Sequence, residues 1–423
     1  MTSTPRLFIR HALLTLIALV VALAVASLVG NFDIGVGNIV LRTQRGVSYP
    51  LSSPAPSTKV DNELKEPQIP EPQQRPRNVI LFIGDGMGMG HVSAASDLLI
   101  APGASLAMTD TTNIGLMRTW AANNLTTDSA ASGTAIATGY KTAKKAVGVL
   151  ADGREVRNLI EAARARGMAA GVMTTSGLVD ATPASFLAHV DNRDDFAAIF
   201  EQALDSGAEV LIGGDFSREP KALRNDRYQD LVASAEALGG QRGYTVVRTP
   251  QALQGASGPV LALFPPRSGS RTDHGPPLEV SARCALRLLE KAPAGFVLMI
   301  ESEVTDTAAH ANDIAALVDG MRELDEAVAA ALRFADQHGD TLVLVTADHD
   351  AGTPAITSGD YQTGRTVVRW ATDGHSSQWV PLFAFGPGAE EFTGVLENTQ
   401  IAPRIGRLLG LEPLPQRAQS IAH

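Results

Sequence analysis

The stretch that decides the fold covers residues 78–88 and reads NVILFIGDGMG. Its first part, residues 78–83, is a continuous apolar run, which is typical of a strand buried on both faces. The run ends in Gly84-Asp85-Gly86, so Asp85 follows the carboxyl end of the predicted strand. Because ligands of parallel sheets bind beyond the carboxyl ends of the strands, Asp85 is the first candidate for a functional side chain.

Similar apolar runs recur along the chain, at residues 170–175, 209–212, 260–264, 296–300, 341–346 and 380–385. Helical patterns lie between them, at residues 156–166 and at residues 312–337, where the apolar residues recur on one stripe. Strands that alternate with helices predict an α/β fold, with a large, mostly parallel central sheet covered by helices on both faces.

Composition narrows the possible functions. Of the 423 residues, 44% are hydrophobic and 19% are charged, which suits a globular chain with a sizeable core. The formal net charge of −10 counts against binding to the phosphate backbone of nucleic acids, so we expect no nucleic-acid binding. The one cysteine, Cys284, lies in a helical pattern and excludes both an intrachain disulfide and a Cys-rich zinc site. Any metal must therefore be bound by histidines and carboxylates.

The N-terminal residues 1–30 have the pattern of a targeting segment. Arg6 and Arg10 precede an uncharged run at residues 12–29, which fits a cleaved signal peptide or an uncleaved membrane anchor. We therefore expect the protein to be periplasmic or secreted, or else anchored in the inner membrane with its main domain outside the cytoplasm. Residues 31–76 are rich in proline and predict an arm or linker, and residues 77–423 predict the main domain, with a variable rim at residues 215–283.

Acidic and imidazole side chains stand at the ends of several predicted strands. Glu301 follows one apolar run, Asp348 and His349 follow another, and His375 lies in the loop before the last. A single carboxylate at such a position is usually a helix cap or a turn residue. Several of them predict a functional site, because the carboxyl ends of parallel strands meet at one edge of the sheet.

Asp306 and His310 add a pair at helical spacing. Residues four apart on a helix point from the same face, so the two side chains can bind one metal ion. A salt-bridged helix surface is the alternative explanation. Mixed oxygen and imidazole ligands suit Zn²⁺, and all-oxygen ligands suit Mg²⁺.

Ser129 precedes a run of small residues that predicts a helix. A serine at the start of a helix is usually an N-cap. The same position also suits a nucleophile, because the helix dipole and a metal ion can stabilise its alkoxide. Both interpretations remain open for Ser129 from the sequence alone.

In chain order, these motifs resemble those of the alkaline phosphatase family over residues 78–387. The matching segments are GDGMG at 84–88, DSAAS at 128–132, DATPAS at 180–185, HVDNR at 189–193, Glu301 with DTAAH at 306–310, TADH at 346–349 and GHS at 374–376. The resemblance implies metal-dependent hydrolysis of small phosphate monoesters through a phosphoserine intermediate, by a homodimer.

The resemblance also implies a role for each matching residue. Ser129 matches the nucleophile, Arg193 matches the arginine that binds the phosphate, and Asp180 matches an aspartate beside the metal ligands. The implied metal sites are a first zinc at Asp306, His310 and His375, a second zinc at Asp85, Asp348 and His349, and one magnesium at Asp85, Thr182 and Glu301.

Thr307 departs from the pattern, because the best-known bacterial enzyme has a lysine near the phosphate at this position. The neutral side chain removes a positive charge, so we expect phosphate affinity, magnesium dependence and pH optimum to differ. A basic cluster follows the predicted nucleophile helix, at Lys141, Lys144 and Lys145, and we expect it to be a solvated face. We expect a structural role for His189 and a surface position for His274. His91 is left outside the site.

Other functions remain as alternatives. A phosphodiesterase or nucleotide pyrophosphatase of the same superfamily would resemble this chain at both zinc sites, but it would lack the magnesium pocket and the arginine. The presence of Thr182, Glu301 and Arg193 therefore favours a phosphomonoesterase. A sulfatase carries a different motif, and a binding protein with an inactive site would not need the whole set of ligands.

Overall fold

The computed structural model describes residues 33–36, 39–42, 74–100, 104–215, 226–264, 275–360, 363, 365–411 and 414. The chain divides into two units, Met1–Pro54 and Ala55–His423. In the first unit, strands β1 (Asp33–Val36) and β2 (Ile39–Arg42) pair as an antiparallel hairpin. The expected targeting segment and residues 43–73 of the expected arm lie outside the described residues.

The second unit contains the remaining strands of the described residues. They are β3 (Asn78–Gly84), β4 (Asn113–Arg118), β5 (Ala169–Gly177), β6 (Val210–Gly214), β7 (Thr245–Val247), β8 (Val260–Phe264), β9 (Phe296–Ser302), β10 (Thr341–Thr346), β11 (Asp350–Ala351), β12 (Pro354–Asp360), β13 (Arg365–Trp370), β14 (His375–Ser376), β15 (Val380–Phe385) and β16 (Gly394–Glu397).

A sheet of 10 strands forms the centre of this unit, in the order β16-β4-β15-β10-β3-β9-β5-β6-β8-β7. Strand β3 lies in its middle and pairs in parallel with both β10 and β9. Only β15 runs antiparallel to its neighbours, β10 and β4. The predicted mostly parallel sheet is confirmed, and each predicted apolar run is one of its strands.

Three strands of the sheet were missed in the sequence. Strands β7 and β16 are edge strands of 3 and 4 residues, and β4 alternates buried with more exposed side chains beside β16. None of them carries the continuous apolar run that marks a strand buried on both faces. Strands β7 and β8 come from residues 215–283, so this segment completes one edge of the sheet.

Helices flank the sheet. In the described residues they are α1 (Met89–Leu99), α2 (Ser129–Thr138), α3 (Leu159–Ala165), α4 (Ala181–Ala184), α5 (Phe196–Asp205), α6 (Asp226–Gln241), α7 (Pro250–Gly255), α8 (Leu278–Leu289), α9 (Val304–His310), α10 (Ile314–His338) and α11 (Ile401–Leu409). In these ranges, no helix combines the length and the apolar character needed to span a bilayer.

The two helices predicted from periodicity are present, with sharper ends. Asp313 caps α10 by accepting hydrogen bonds from the amides of Ala315 and Ala316, and Gly339 ends the helix in the left-handed region at φ 71°. Helix α3 begins at Leu159, later than predicted, because Asn158 and Glu161 cap its first turn reciprocally. Cys284 is buried on α8, as the sequence indicated.

The middle of the sheet is a dry core. Every residue of β3, β9 and β10 is buried, and Phe82 and Phe296 are among the largest side chains enclosed there. Burying one such side chain contributes about 1.5–3 kcal/mol, so these strands form a firm platform. At their amino ends, the Asn78 amide donates to Asp340 Oδ1 (3.0 Å) and Thr341 Oγ1 (3.1 Å). The carboxyl ends of the strands are thereby held in a fixed register.

Candidate active site

The register of β10, β3 and β9 brings three acidic residues together. Ile83 pairs with Thr346 on one side and with Glu301 on the other. Asp85 comes just after Ile83 and Asp348 just after Thr346, so their carboxylates meet Glu301 at the same edge of the sheet. This is the edge at which the sequence predicted a site.

One group of possible metal ligands consists of Asp306, His310 and His375. The Nε2 atom of His310 lies 3.2 Å from Asp306 Oδ2 and 3.2 Å from His375 Nε2, and His375 Nε2 lies 3.7 Å from Asp306 Oδ1. The Nδ1 atom of His310 lies 2.7 Å from the carbonyl oxygen of Asp373. The Nδ1 atom of His375 lies 2.9 Å from the carbonyl oxygen of Thr127. Protonation at Nδ1 satisfies these carbonyls and leaves both Nε2 atoms free to bind a metal ion.

A second group consists of Asp85, Asp348 and His349, all buried. The Nε2 atom of His349 lies 3.3 Å from Asp85 Oδ1 and 3.2 Å from Asp348 Oδ2. Among the described residues, Asp85 Oδ1 and Asp348 Oδ2 have no hydrogen-bond partner, whereas Asp348 Oδ1 accepts from the amides of Gly86 and His349. Burial raises the pKa of Asp85 and of Asp348 and lowers that of His349. A cation among these atoms would compensate for their burial.

A third group lies on the other side of Asp85. The hydroxyl of Thr182 lies 3.3 Å from Asp85 Oδ2. Both carboxylate oxygens of Glu301 are buried with no hydrogen-bond partner in the described ranges. Burial and the charge of Asp85 raise the pKa of Glu301 well above its ordinary value. Glu303, which the sequence analysis missed, also places a carboxylate oxygen within 4.8 Å of oxygens of Asp85 and Glu301.

Gly86 explains why the motif after β3 needs glycine. Its φ is +69°, and a Cβ on this residue would lie 2.7 Å from Asp306 Oδ1. A larger residue would therefore strain the backbone and push into the first group of ligands.

Ser129 is the first residue of α2, but it is not the cap. Asp128 takes the N-cap position and accepts a hydrogen bond from the amide of Ala131 (3.1 Å). The Ser129 hydroxyl instead lies 3.3 Å from His349 Nε2. Of the two interpretations left open by the sequence, the capping role belongs to Asp128.

A further hydrogen bond fastens α2 to the sheet. The hydroxyl of Ser132 donates to the carbonyl of Asp348 (2.5 Å) and accepts from the Asn398 amide (2.8 Å). The start of the helix is thus tied to the strand end that carries Asp348 and His349. This tie fixes the distance between the Ser129 hydroxyl and the second group of ligands.

Arg193 lies beside the start of α2. Its Nη2 donates to Asp180 Oδ1 (2.7 Å), and its Nη1 lies 4.0 Å from Asp128 Oδ2. Burial alone would lower the pKa of Arg193, but the charges of Asp180 and Asp128 outweigh burial and raise it. The side chain keeps 25% of its surface exposed, so part of a fixed cation remains accessible to an anion.

Asp180 holds this arginine from one side. Besides Arg193, its carboxylate accepts hydrogen bonds from the Ala181 amide (2.7 Å) and the Ser176 hydroxyl (2.8 Å). We expected Thr307 near the phosphate. Its hydroxyl oxygen lies 3.3 Å from Glu303 Oε1.

The prediction of a solvated basic face is wrong for Lys141. Its side chain is only 2% exposed, donates to the carbonyl of Trp120 (2.7 Å) and lies 3.6 Å from Glu397 Oε2. The ammonium also sits 4.2 Å from the centre of the Trp120 ring. Of the other two lysines, Lys145 is 60% exposed and Lys144 is half-buried.

The histidines outside the three groups take other places. His189 has its ring nitrogens 3.0 Å from Glu161 and 2.8 Å from the Gly148 carbonyl, which agrees with the predicted structural role. His91 is buried, and burial lowers its pKa to about 4. His274 lies outside the described residues.

The fold and the site define an α/β enzyme with a serine beside clustered carboxylates and histidines. The family model described as alkaline phosphatase matches residues 76–364, and the chain belongs to that family. It is an alkaline phosphatase of the kind that hydrolyses phosphate monoesters, and its family is metal-dependent.

Two curated relatives cover most of the chain. Alkaline phosphatase 3 of Bacillus subtilis is 29% identical over 85% of this chain and 95% of its own length. Streptomycin-6-phosphate phosphatase of Streptomyces griseus is 32% identical over 85% of this chain and 95% of its own length. Among solved structures, the alkaline phosphatase of the Antarctic bacterium TAB5 superposes with a TM-score of 0.69 at 28% identity and covers 80% of this chain and 99% of that one.

Proposed function

We propose that this enzyme cleaves small phosphate monoesters to an alcohol and inorganic phosphate through a phosphoserine at Ser129, with two zinc ions and one magnesium ion. The observation that carries the proposal is the position of the Ser129 hydroxyl, 3.3 Å from His349 Nε2, at the edge where the three ligand groups meet.

The residues present fit the metals. Among the described residues, buried oxygens of Asp85, Asp348 and Glu301 have no hydrogen-bond partner. The Nε2 atom of His349 lies beside the oxygens of Asp85 and Asp348. We assign one zinc to Asp306, His310 and His375, the other zinc to Asp85, Asp348 and His349, and magnesium to Asp85, Thr182 and Glu301. Structures of two TAB5 variants are described as having Mg bound in the M3 site, which supports the third assignment. When bound, these cations neutralise the charge of the phosphate and lower the pKa of the serine hydroxyl.

Ser129 supplies the nucleophile in this proposal. Its oxygen stands at the N-terminus of α2, where the helix dipole stabilises negative charge on the alkoxide. Attack forms the bond from Oγ to phosphorus while the bond from phosphorus to the ester oxygen breaks, and the departing oxygen takes up a proton to give the alcohol. Water then attacks phosphorus, the bond to Oγ breaks, and the water's proton restores the serine hydroxyl as inorganic phosphate is released.

Arg193 binds the phosphate. Its planar fork donates two parallel hydrogen bonds to non-bridging oxygens, an arrangement that suits a phosphate dianion. Asp180 holds the guanidinium in place through the 2.7 Å hydrogen bond. This contact limits the entropy that Arg193 loses when it binds phosphate.

Export and assembly belong to the same proposal. The pattern at residues 1–30 supports export to the periplasm or the medium, with anchoring in the inner membrane as the alternative. Family resemblance supports a homodimer. Fractionation of cells and light scattering of the purified protein test the two statements separately.

A panel of esters tests the function. It contains mono- and bis-nitrophenyl phosphate, together with streptomycin 6-phosphate, because the Streptomyces griseus relative is named for that substrate. We expect the monoester to react much faster than the diester, and a chelator to abolish both reactions. Faster hydrolysis of the diester would instead identify a phosphodiesterase.

A further inference from the structure

Glu303 is a buried acidic residue that the family resemblance does not assign. It lies in the turn between β9 and α9 and is 9% exposed. Its amide donates a hydrogen bond to Thr175 Oγ1 (2.9 Å), which fixes the backbone of the turn. The side chain therefore extends from a fixed backbone position.

The Glu303 carboxylate joins two carboxylates of the third ligand group. One oxygen from each of Asp85, Glu301 and Glu303 lies within 4.8 Å of the other two. Three buried carboxylates at this separation repel one another strongly unless a cation or protons lie between them. Thr307 orients Glu303, because its hydroxyl lies 3.3 Å from Glu303 Oε1.

A second observation points to a ligand for this cluster. Glu301 has no exposed surface, and neither of its carboxylate oxygens has a hydrogen-bond partner in the part of the chain that the structure describes. Within the same described part, Asp85 Oδ1 is buried without a hydrogen-bond partner as well. Orphaned acceptors of this kind are costly in a protein interior, so they point to a bound cation as the missing partner.

We propose that Glu303 is an additional carboxylate ligand of the third metal site, beside Asp85, Thr182 and Glu301, with Thr307 as its positioning residue. The inference rests on the proposed function, which places a metal ion at this site. The donor set then consists of three carboxylates and one hydroxyl. All-oxygen, strongly anionic ligation selects a hard divalent cation such as Mg²⁺ over zinc.

The test is the affinity of the full-length enzyme for Mg²⁺ in Glu303→Gln, which keeps the size of the side chain and removes its charge. Chelated protein is first saturated with Zn²⁺ and then titrated with Mg²⁺ in a calorimeter. We expect the variant to bind Mg²⁺ at least about tenfold more weakly, with unchanged zinc content. Glu326→Gln is the matched control, because Glu326 is exposed on α10 and carries the same charge. Equal Mg²⁺ affinity in wild type and Glu303→Gln would overturn the proposal.

Two further measurements do not depend on that variant. Thr307→Val is expected to weaken Mg²⁺ binding by a smaller factor than Glu303→Gln does. The variant keeps the Glu303 carboxylate and removes only the hydroxyl that orients it. In a crystal of the wild-type enzyme grown with Mn²⁺, anomalous scattering locates the ion, and we expect an oxygen of Glu303 at bonding distance. An ion in the third site without Glu303 among its ligands would overturn the inference. A wild-type enzyme without phosphoserine or bound metal would instead refute the proposed function.

Discussion

The hydroxyl of Ser129 lies 3.3 Å from Nε2 of His349, although the two residues are 220 positions apart in the chain. The contact exists because α2 begins at the edge of the sheet where β10 ends, and because Ser132 ties the helix to the carbonyl of Asp348. It brings a potential nucleophile to a group of buried side chains, Asp85, Asp348 and His349, that could hold a metal ion.

Substitution of this serine gives the most direct prediction. In Ser129→Ala we expect kcat to fall by about three orders of magnitude or more, because the group that attacks phosphorus is missing. Acid quenching with a labelled monoester should trap phosphoenzyme in the wild type and none in the variant, while metal content stays unchanged. Ser234→Ala on α6 is the control variant. Trapping of labelled phosphoenzyme in Ser129→Ala would contradict the assignment of Ser129 as the nucleophile.

Arg193→Ala should weaken the binding of phosphate. Loss of charge-assisted hydrogen bonds worth about 1.5–3 kcal/mol corresponds to a roughly 10–100-fold rise in KM and in the inhibition constant of inorganic phosphate. Arg193→Lys should recover part of this loss, because the charge remains but the fork does not. Steady-state kinetics measure both constants. Arg154→Ala is the control, because Arg154 forms an exposed ion pair with Asp152, and it should leave both constants unchanged. An unaltered KM in Arg193→Ala would count against a phosphate-binding role of Arg193.

Removal of the metals should destabilise the protein increasingly as the pH rises. Without metal, burial and then the charge of Asp306 raise the pKa of Asp348 to about 8, and a hydrogen bond with Asp306 raises the pKa of His310 to about 9. The folded metal-free protein therefore holds protons that the unfolded chain has released, and this contribution to stability disappears as the pH rises through these pKa values. Bound metals take the place of those protons.

Denaturant unfolding with chelator and with metals measures this effect. The difference in the free energy of unfolding between the loaded and the metal-free protein should grow from about pH 6.5 to about pH 9. Because both states share all other titrating groups, the comparison isolates the site. A difference that shrinks over this range would show that the site is not neutralised by protons when it lacks metal.

For Lys141 we expect the opposite pH dependence of stability. Burial lowers its pKa to about 7, although Glu397 partly restores it, whereas an exposed lysine has an ordinary value of 10.5. Above pH 7 the unfolded chain therefore holds a proton that the folded protein lacks. Stability from this group rises with pH, by about 1.4 kcal/mol for each pH unit at full effect.

Unfolding of Lys141→Met across the same pH range tests this expectation. The variant should lose the rising contribution, so that the stability of the wild type relative to the variant increases from about pH 7 to about pH 10. Lys145→Met is the matched control, because that side chain is 60% exposed. Parallel pH profiles for wild type and Lys141→Met would show that the ammonium stays charged in its pocket.

The strand-end residues were accessible from the sequence for a physical reason. The apolar run of β3 and the Gly-Asp-Gly after it mark both the strand and its end, and parallel strands place such ends at one edge. Asp306 and His310 were accessible through helical spacing. Their grouping with His375 follows from these rules together with the family motifs.

Other features needed three-dimensional information. Glu303 is one of many acidic residues in the sequence, and only the turn after β9 brings it to Asp85 and Glu301. In the sequence Lys141 stands close to two other lysines, but in the structure β16 supplies Glu397 as its partner. Neither residue has a local pattern that separates it from an exposed charge.

The sequence by itself determined the type of fold, the order of the chemical groups along the chain and the strand ends at which they lie, because hydrophobic periodicity and turn residues are local properties. The tertiary structure alone decided that Asp128 caps α2 and leaves Ser129 facing His349, that Glu303 meets the third ligand group, and that Lys141 is buried. These outcomes depend on distances between segments far apart in the chain, which are set when the sheet and its helices pack.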